Sequence, residues 1–234
     1  MAHEIAHHWF GNSVTEKDWD DVWLSEGFAT YFTLLNTEHY EGRDAFVAGL
    51  NKSRDAIFAL QAEVPGVAII HDNLSDMKKV TNRLIYEKGA WTLHMLRGQM
   101  GDDKFWTTIR EYYRRYRNSN ASTEDFRLVA EEASGMQLGW FFQQWLKRAG
   151  TPVLAGLWHY DAERHTVEMD LAQTQAGEVY RLPLEVRCSG KVEKVEMVER
   201  QQHFAISVDK EPKDLGFDPN TRVLARIDVK RAPK

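Results

Sequence analysis

His3-Glu4-Ile5-Ala6-His7, joined through residues 8–25 to Glu26 in Trp23-Leu24-Ser25-Glu26-Gly27-Phe28-Ala29-Thr30-Tyr31, decides how this chain is read. Two histidines four apart on a helix share one face, about one turn from each other. They can grip one metal ion from the same side. Glu4 flanks that ion without binding it, the position of a general base toward a metal-activated water. The second stretch reads as the start of another helix, and Glu26 on it supplies a third ligand. Two His and one Glu leave a coordination position open, as in a catalytic rather than a structural zinc site. The pentapeptide alone also fits a helix with two hydrogen-bonded histidines, and Glu26 alone fits a carboxylate complementing a helix dipole. The combination, flanked by tryptophans and glycines, selects the metal.

Extended outward, His3-Glu4-Ile5-Ala6-His7-His8-Trp9-Phe10-Gly11-Asn12 and Trp19-Asp20-Asp21-Val22-Trp23-Leu24-Ser25-Glu26-Gly27-Phe28-Ala29 resemble the gluzincin aminopeptidases. These are the M-one peptidases, which include alanyl and puromycin-sensitive aminopeptidases and leukotriene hydrolase. Tyr86-Glu87-Lys88-Gly89-Ala90 is similar to the family's downstream tyrosine motif. Phe141-Phe142-Gln143-Gln144-Trp145, then Gly150-Thr151-Pro152, resembles the end of its catalytic domain. The likeness is strong over residues 1–152 and weak beyond.

The resemblance implies a zinc metallopeptidase of aminopeptidase type acting on peptide substrates. One zinc is held by His3, His7 and Glu26, with Glu4 as general base and Tyr86 as hydrogen-bond donor to the oxyanion. It implies an α+β chain: a mainly helical, thermolysin-like C-terminal catalytic subdomain over 1–152, then a small antiparallel β-sandwich over 153–234. One departure matters. The family holds the substrate's amino group with a Gly-Ala-Met-Glu-Asn type segment upstream of the zinc helix, and no such segment occurs here. Ser134-Gly135-Met136-Gln137 is a superficial echo without the needed carboxylate. The chain is therefore expected to be the C-terminal portion of a longer enzyme, its partner being the missing N-terminal part. A non-catalytic zinc-binding fragment or interaction module, and a thermolysin-like endopeptidase, stay open as rivals.

Composition is that of an ordinary globular protein: 234 residues, 43% hydrophobic and 28% charged. A net charge of −5 gives no electrostatic case for nucleic acid, and no run of residues is long and apolar enough to span a membrane. Arg110, Arg114, Arg115 and Arg117 read as a solvated helix face. Cys188 is the only cysteine, so no intrachain disulfide forms. That slightly favours the cytoplasm and leaves periplasmic and secreted locations open.

Helical periodicity fills the first two-thirds. A metal helix is expected over 1–11, ended by Gly11-Asn12-Ser13. The Glu26 helix runs to about Tyr40, and the next is capped by Asp44. Residues 68–82 read as a loop. Further helices cover Leu84 to Met100, Asp102 to Tyr116, one capped by Ser122 or Thr123, and Leu138 to Arg148. Beyond Pro152 the period changes to strands at Val153–Tyr160, Thr166–Leu171, Tyr180–Cys188, Lys191–Val198, Phe204–Val208 and Val223–Val229. Trp9, Trp19, Trp23 and Phe28 are expected to pack the two metal helices together. Asp20 or Asp21 is expected either to orient a ligand histidine or to cap a loop. His8 points about 100° away from His7 and cannot share its metal. His39, His71 and His94 read as structural.

Overall fold

The computed structural model describes residues 1–71 and 82–233, so part of the expected 68–82 loop lies outside the described residues. The chain divides into two compact units, Met1–Gly150 and Thr151–Lys234, and its class is α+β.

The first unit begins with α1 (Ala2–Ala6), far shorter than the helix expected over 1–11. Its last turn tightens: the amides of His8 and Trp9 bond three residues back, to Ile5 and Ala6. Gly11 then turns the chain at φ +124°. Strand β1 (Val14–Glu16) follows, then a single 3-10 turn over Trp19–Asp21 and the long α2 (Trp23–Glu41). Gly42, with φ +93°, ends α2 and opens α3 (Arg43–Glu63), so the expected cap Asp44 lies inside the first turn instead. Helix α4 (Arg83–Met100) starts at Asn82, whose side chain accepts the Leu84 amide. Next come α5 (Asp102–Tyr116), β2 (Ser119–Ala121), α6 (Thr123–Ser134) and α7 (Gly139–Phe142), which widens into a π-type turn over Gln143–Lys147. Ser122 caps α6 in a reciprocal pair with Asp125.

Helices α2 and α4 form the centre of this unit. Their buried residues include Trp23, Phe28, Ala29 and Tyr31 on one and Leu84, Ile85, Trp91 and Leu93 on the other. They cross where two glycines meet. A Cβ at Gly27 would fall 2.9 Å from the Gly89 carbonyl carbon, and one at Gly89 would fall 3.0 Å from the Gly27 Cα. Backbone therefore touches backbone, one residue beyond Glu26 and one turn beyond Tyr86. Phe10 closes the core at the other end. It stacks on Phe28 with ring centroids 4.4 Å apart and lies 5.3 Å from Phe32. Phe28 packs against Phe10 as expected, whereas Trp23 is buried against Phe126 and Phe142 instead, and Trp9 and Trp19 are 48% and 52% exposed. They sit on the outer side of their turns, a distinction that residue spacing does not carry.

Strand β1 pairs in parallel with β2, joining residues 14–16 to 119–121. Neither strand was expected, because three residues are too few to display a period.

In the second unit, a four-stranded sheet has the order β7-β4-β3-β9 and a three-stranded sheet the order β6-β5-β8. The strands are β3 (Val153–Asp161), β4 (Thr166–Gln173), β5 (Leu182–Cys188), β6 (Lys191–Met197), β7 (Gln201–Ser207), β8 (Leu215–Phe217) and β9 (Arg226–Arg231). Every ladder is antiparallel except β3 with β9, which is parallel. Burial alternates cleanly along β5, where Leu182, Leu184, Val186 and Cys188 point inward. Cys188 is thus an apolar strand residue.

Candidate metal centre

The tightened turn after α1 and the first turn of α2 bring three side chains to one point. Nε2 of His7 lies 3.1 Å from Nε2 of His3 and 3.3 Å from Oε2 of Glu26, and His3 Nε2 lies 3.2 Å from the same oxygen. Donors about 2.0–2.2 Å from a tetrahedral zinc-sized ion stand roughly 3.3–3.5 Å from one another. The three donor atoms thus have nearly the spacing of three corners of such a shell. Among the described residues this trio is the cluster of His, Cys, Asp or Glu able to hold a metal. All three are partly exposed, as a site reached by substrate needs to be.

The imidazole of His7 is oriented from behind. Its Nδ1 lies 3.1 Å from the Phe10 carbonyl oxygen, which can only accept. Nδ1 therefore carries the proton and Nε2 presents a lone pair toward His3 and Glu26. Neither Asp20 nor Asp21 performs this task. Asp21 accepts from both the amide and the hydroxyl of Thr123, at 2.7 Å each, and so ties the loop to the start of α6. Asp20 accepts a backbone bond from His71.

Tyr86, far away in sequence, lies beside the trio. Its ring is stacked near His3 with centroids 6.1 Å apart, and its phenol lies within the influence of the Glu26 carboxylate. Burial raises the phenol above the ordinary tyrosine range, helped by the charges of Glu26 and Glu4. Glu4 is exposed on α1, near enough for its charge to be felt at Tyr86. The structure thus brings together His3, His7 and Glu26 with the ring of Tyr86 beside them, while Glu4 stands exposed on α1. The reason for Tyr86 is the glycine crossing: Gly27 and Gly89 let α4 approach α2 until residue 86 meets residue 26. Both glycines lie inside the quoted motifs, and their contact was the signal that sequence reading passed over.

Other candidates are occupied elsewhere. His94 is buried, 3.3 Å from the Tyr31 hydroxyl. His8 lies against Trp9, and His39 against Tyr40. Ser134-Gly135-Met136-Gln137 is a helix terminus, with Gly135 in the left-handed region at φ 70°. Arg114 and Arg115 pair with Glu111 and Glu132.

A helical unit with two histidines and a glutamate drawn from successive helices defines the class of gluzincin peptidases, and comparison with known proteins agrees. The Peptidase family M1 domain matches residues 1–145, and the chain belongs to that family. It is 29% identical over 206 residues to Aminopeptidase M1-C of Oryza sativa subsp. japonica, covering 87% of this chain and 24% of that protein. Aminopeptidase N of Lactococcus lactis subsp. lactis is 32% identical over 66% of this chain and 19% of its own length. Glutamyl aminopeptidase of Sus scrofa is 34% identical over 66% of this chain and 17% of its own. The chain thus spans about a quarter or less of the length of these relatives. In fold it is similar to a crystal structure of Legionella pneumophila aminopeptidase A in complex with aspartic acid. The TM-score is 0.76 and the identity 15%, over 97% of this chain and 26% of that one. No helix of the described residues is long and apolar enough to cross a membrane.

Proposed function

We propose that the chain carries the centre of a zinc-dependent metallopeptidase of aminopeptidase type, with residues 1–152 as a partial catalytic domain and 153–234 as the β-domain that follows it. The observation that supports this most directly is the convergence of His3 Nε2, His7 Nε2 and Glu26 Oε2 at separations of 3.1–3.3 Å. These three side chains hold the zinc. When bound, zinc supplies Lewis-acid activation of water and of the peptide carbonyl.

The remaining work falls to the chain's own groups. Glu4 takes a proton from the attacking water at its carboxylate and returns it to the departing amine. Tyr86 donates its O–H to the oxygen of the former carbonyl and stabilises the charge that develops there. The phenol is protonated at neutral pH as any tyrosine is, and burial pushes it further the same way. The substrates are peptides cleaved at their N-terminal bond. Binding of the free amine is assigned to no residue of this chain, and hydrolysis without that positioning is expected to be slow, since positioning supplies roughly 7–11 kcal/mol.

Metal content measured together with cleavage of aminoacyl-naphthylamides tests this reading. Glu4→Gln is expected to keep zinc and lose hydrolysis, while Glu26→Ala is expected to weaken zinc retention. A wild-type chain that takes up no zinc, or a Glu4→Gln chain that hydrolyses normally, refutes the assignment.

A further inference from the structure

Ser25 precedes Glu26 and is buried at 7% exposure. Its hydroxyl oxygen lies 3.2 Å from Nδ1 of His7. The Phe10 carbonyl lies 3.1 Å from the same nitrogen. A carbonyl cannot donate, so the Nδ1 proton lies between two acceptors, one from the turn after α1 and one from α2. A single acceptor leaves an imidazole free to swing about its ring bond, whereas two narrow that motion. The contact also needs space. A Cβ on residue 11 would sit 2.6 Å from the Ser25 Oγ and 2.9 Å from His7 Nδ1, and Gly11 adopts φ +124°.

We infer that Ser25 is a positioning residue for His7, and that Gly11 provides the space in which hydroxyl and imidazole meet. The hydroxyl holds the ring so that Nε2 faces His3 and Glu26, and it ties this ligand to the helix carrying the third one. As a consequence for metal binding, the inference rests on the zinc centre proposed above. As a statement about the ring, it holds in the metal-free chain.

The test uses the full chain with Ser25→Ala, Ser25→Thr and Gly11→Ala. Zinc affinity is read by competition with a chromophoric chelator, and exchange of the His7 Nδ1 proton with water by NMR on metal-free protein. Ser25→Ala is expected to bind zinc about tenfold more weakly, the scale of a lost outer partner of a metal-bound histidine, and to exchange that proton faster. Ser25→Thr, which keeps the hydroxyl, is expected to restore both. Gly11→Ala is expected to weaken zinc less in the Ser25→Ala background than in the wild type, because the 2.6 Å contact is then gone. Wild-type affinity in Ser25→Ala, or unchanged proton exchange, overturns the inference. A wild-type chain that binds no zinc overturns the zinc reading instead, and the exchange measurement still decides Ser25.

Discussion

Phe10 carries more of the site than its place outside the ligand set suggests. A helix of five residues cannot stand alone in water. Phe10, 4% exposed, anchors it through contacts with Phe28, Phe32 and Tyr113, and its carbonyl orients His7. Phe10→Ala is expected to cost about 3–5 kcal/mol in urea unfolding and to weaken zinc binding as well. Tyr86→Phe is expected to leave zinc affinity unchanged and lower kcat by roughly 10²–10³, the scale for loss of one oxyanion donor; an unaltered kcat removes the phenol from the reaction. The meeting of His3 with His7 was legible because helical geometry converts a four-residue spacing into a shared face. The position of Tyr86 and the exposure of Trp9 and Trp19 depend on which helix packs where, and no local spacing records that.

Among the elements, the crossing of α2 and α4 governs the most. Gly89→Ala places a methyl carbon 3.0 Å from the Gly27 Cα, inside ordinary van der Waals contact. The expected result is overpacking worth about 1–3 kcal/mol, seen as a lower Tm together with a shift of the Tyr86 ring away from His3. An unchanged Tm means that the helices separate at no cost. Long elements such as α2, α3 and α4 were legible because each repeats its apolar period several times. The metal helix was overestimated because Gly11 and the i−3 bonds before it end the regular ladder early. The three-residue strands β1, β2 and β8 escaped notice for want of length. The parallel lie of β9 beside β3 is a choice of partner rather than a local preference.

At the scale of the whole molecule, one group in each unit ties stability to pH, and the two act in opposite directions. In the first, Lys88 is fully buried, and its Nζ donates to the carbonyls of Arg148 and Gly150 at 3.1 Å each. Burial, with a smaller push from the Arg148 charge, lowers its pKa from 10.5 to about 7. Below that value both folded and unfolded chains hold the proton, and the burial penalty is complete. Between there and the ordinary lysine range only the unfolded chain keeps it, so stability rises with pH by up to about 1.4 kcal/mol per unit. Lys88→Met is expected to flatten that rise between about pH 7 and about pH 9, which urea midpoints measure. In the second unit, His203 is held between Asp170 and Glu168 at 2.8 Å on each side, which raises its pKa. Its contribution is full below the ordinary histidine value and disappears as pH climbs through the raised one. His203→Gln is expected to remove this modest dependence, and NMR titration of the ring checks it. The pairing of β1 with β2 has a temporal consequence. The segment linking the two halves of the metal trio is pinned by residues 119–121, and by Thr123 through Asp21. A nascent chain that has emerged only as far as α3 therefore already contains His3, His7 and Glu26 but not the clamp that shapes the segment between them. Assembly of the centre belongs late in folding, after a long loop has closed.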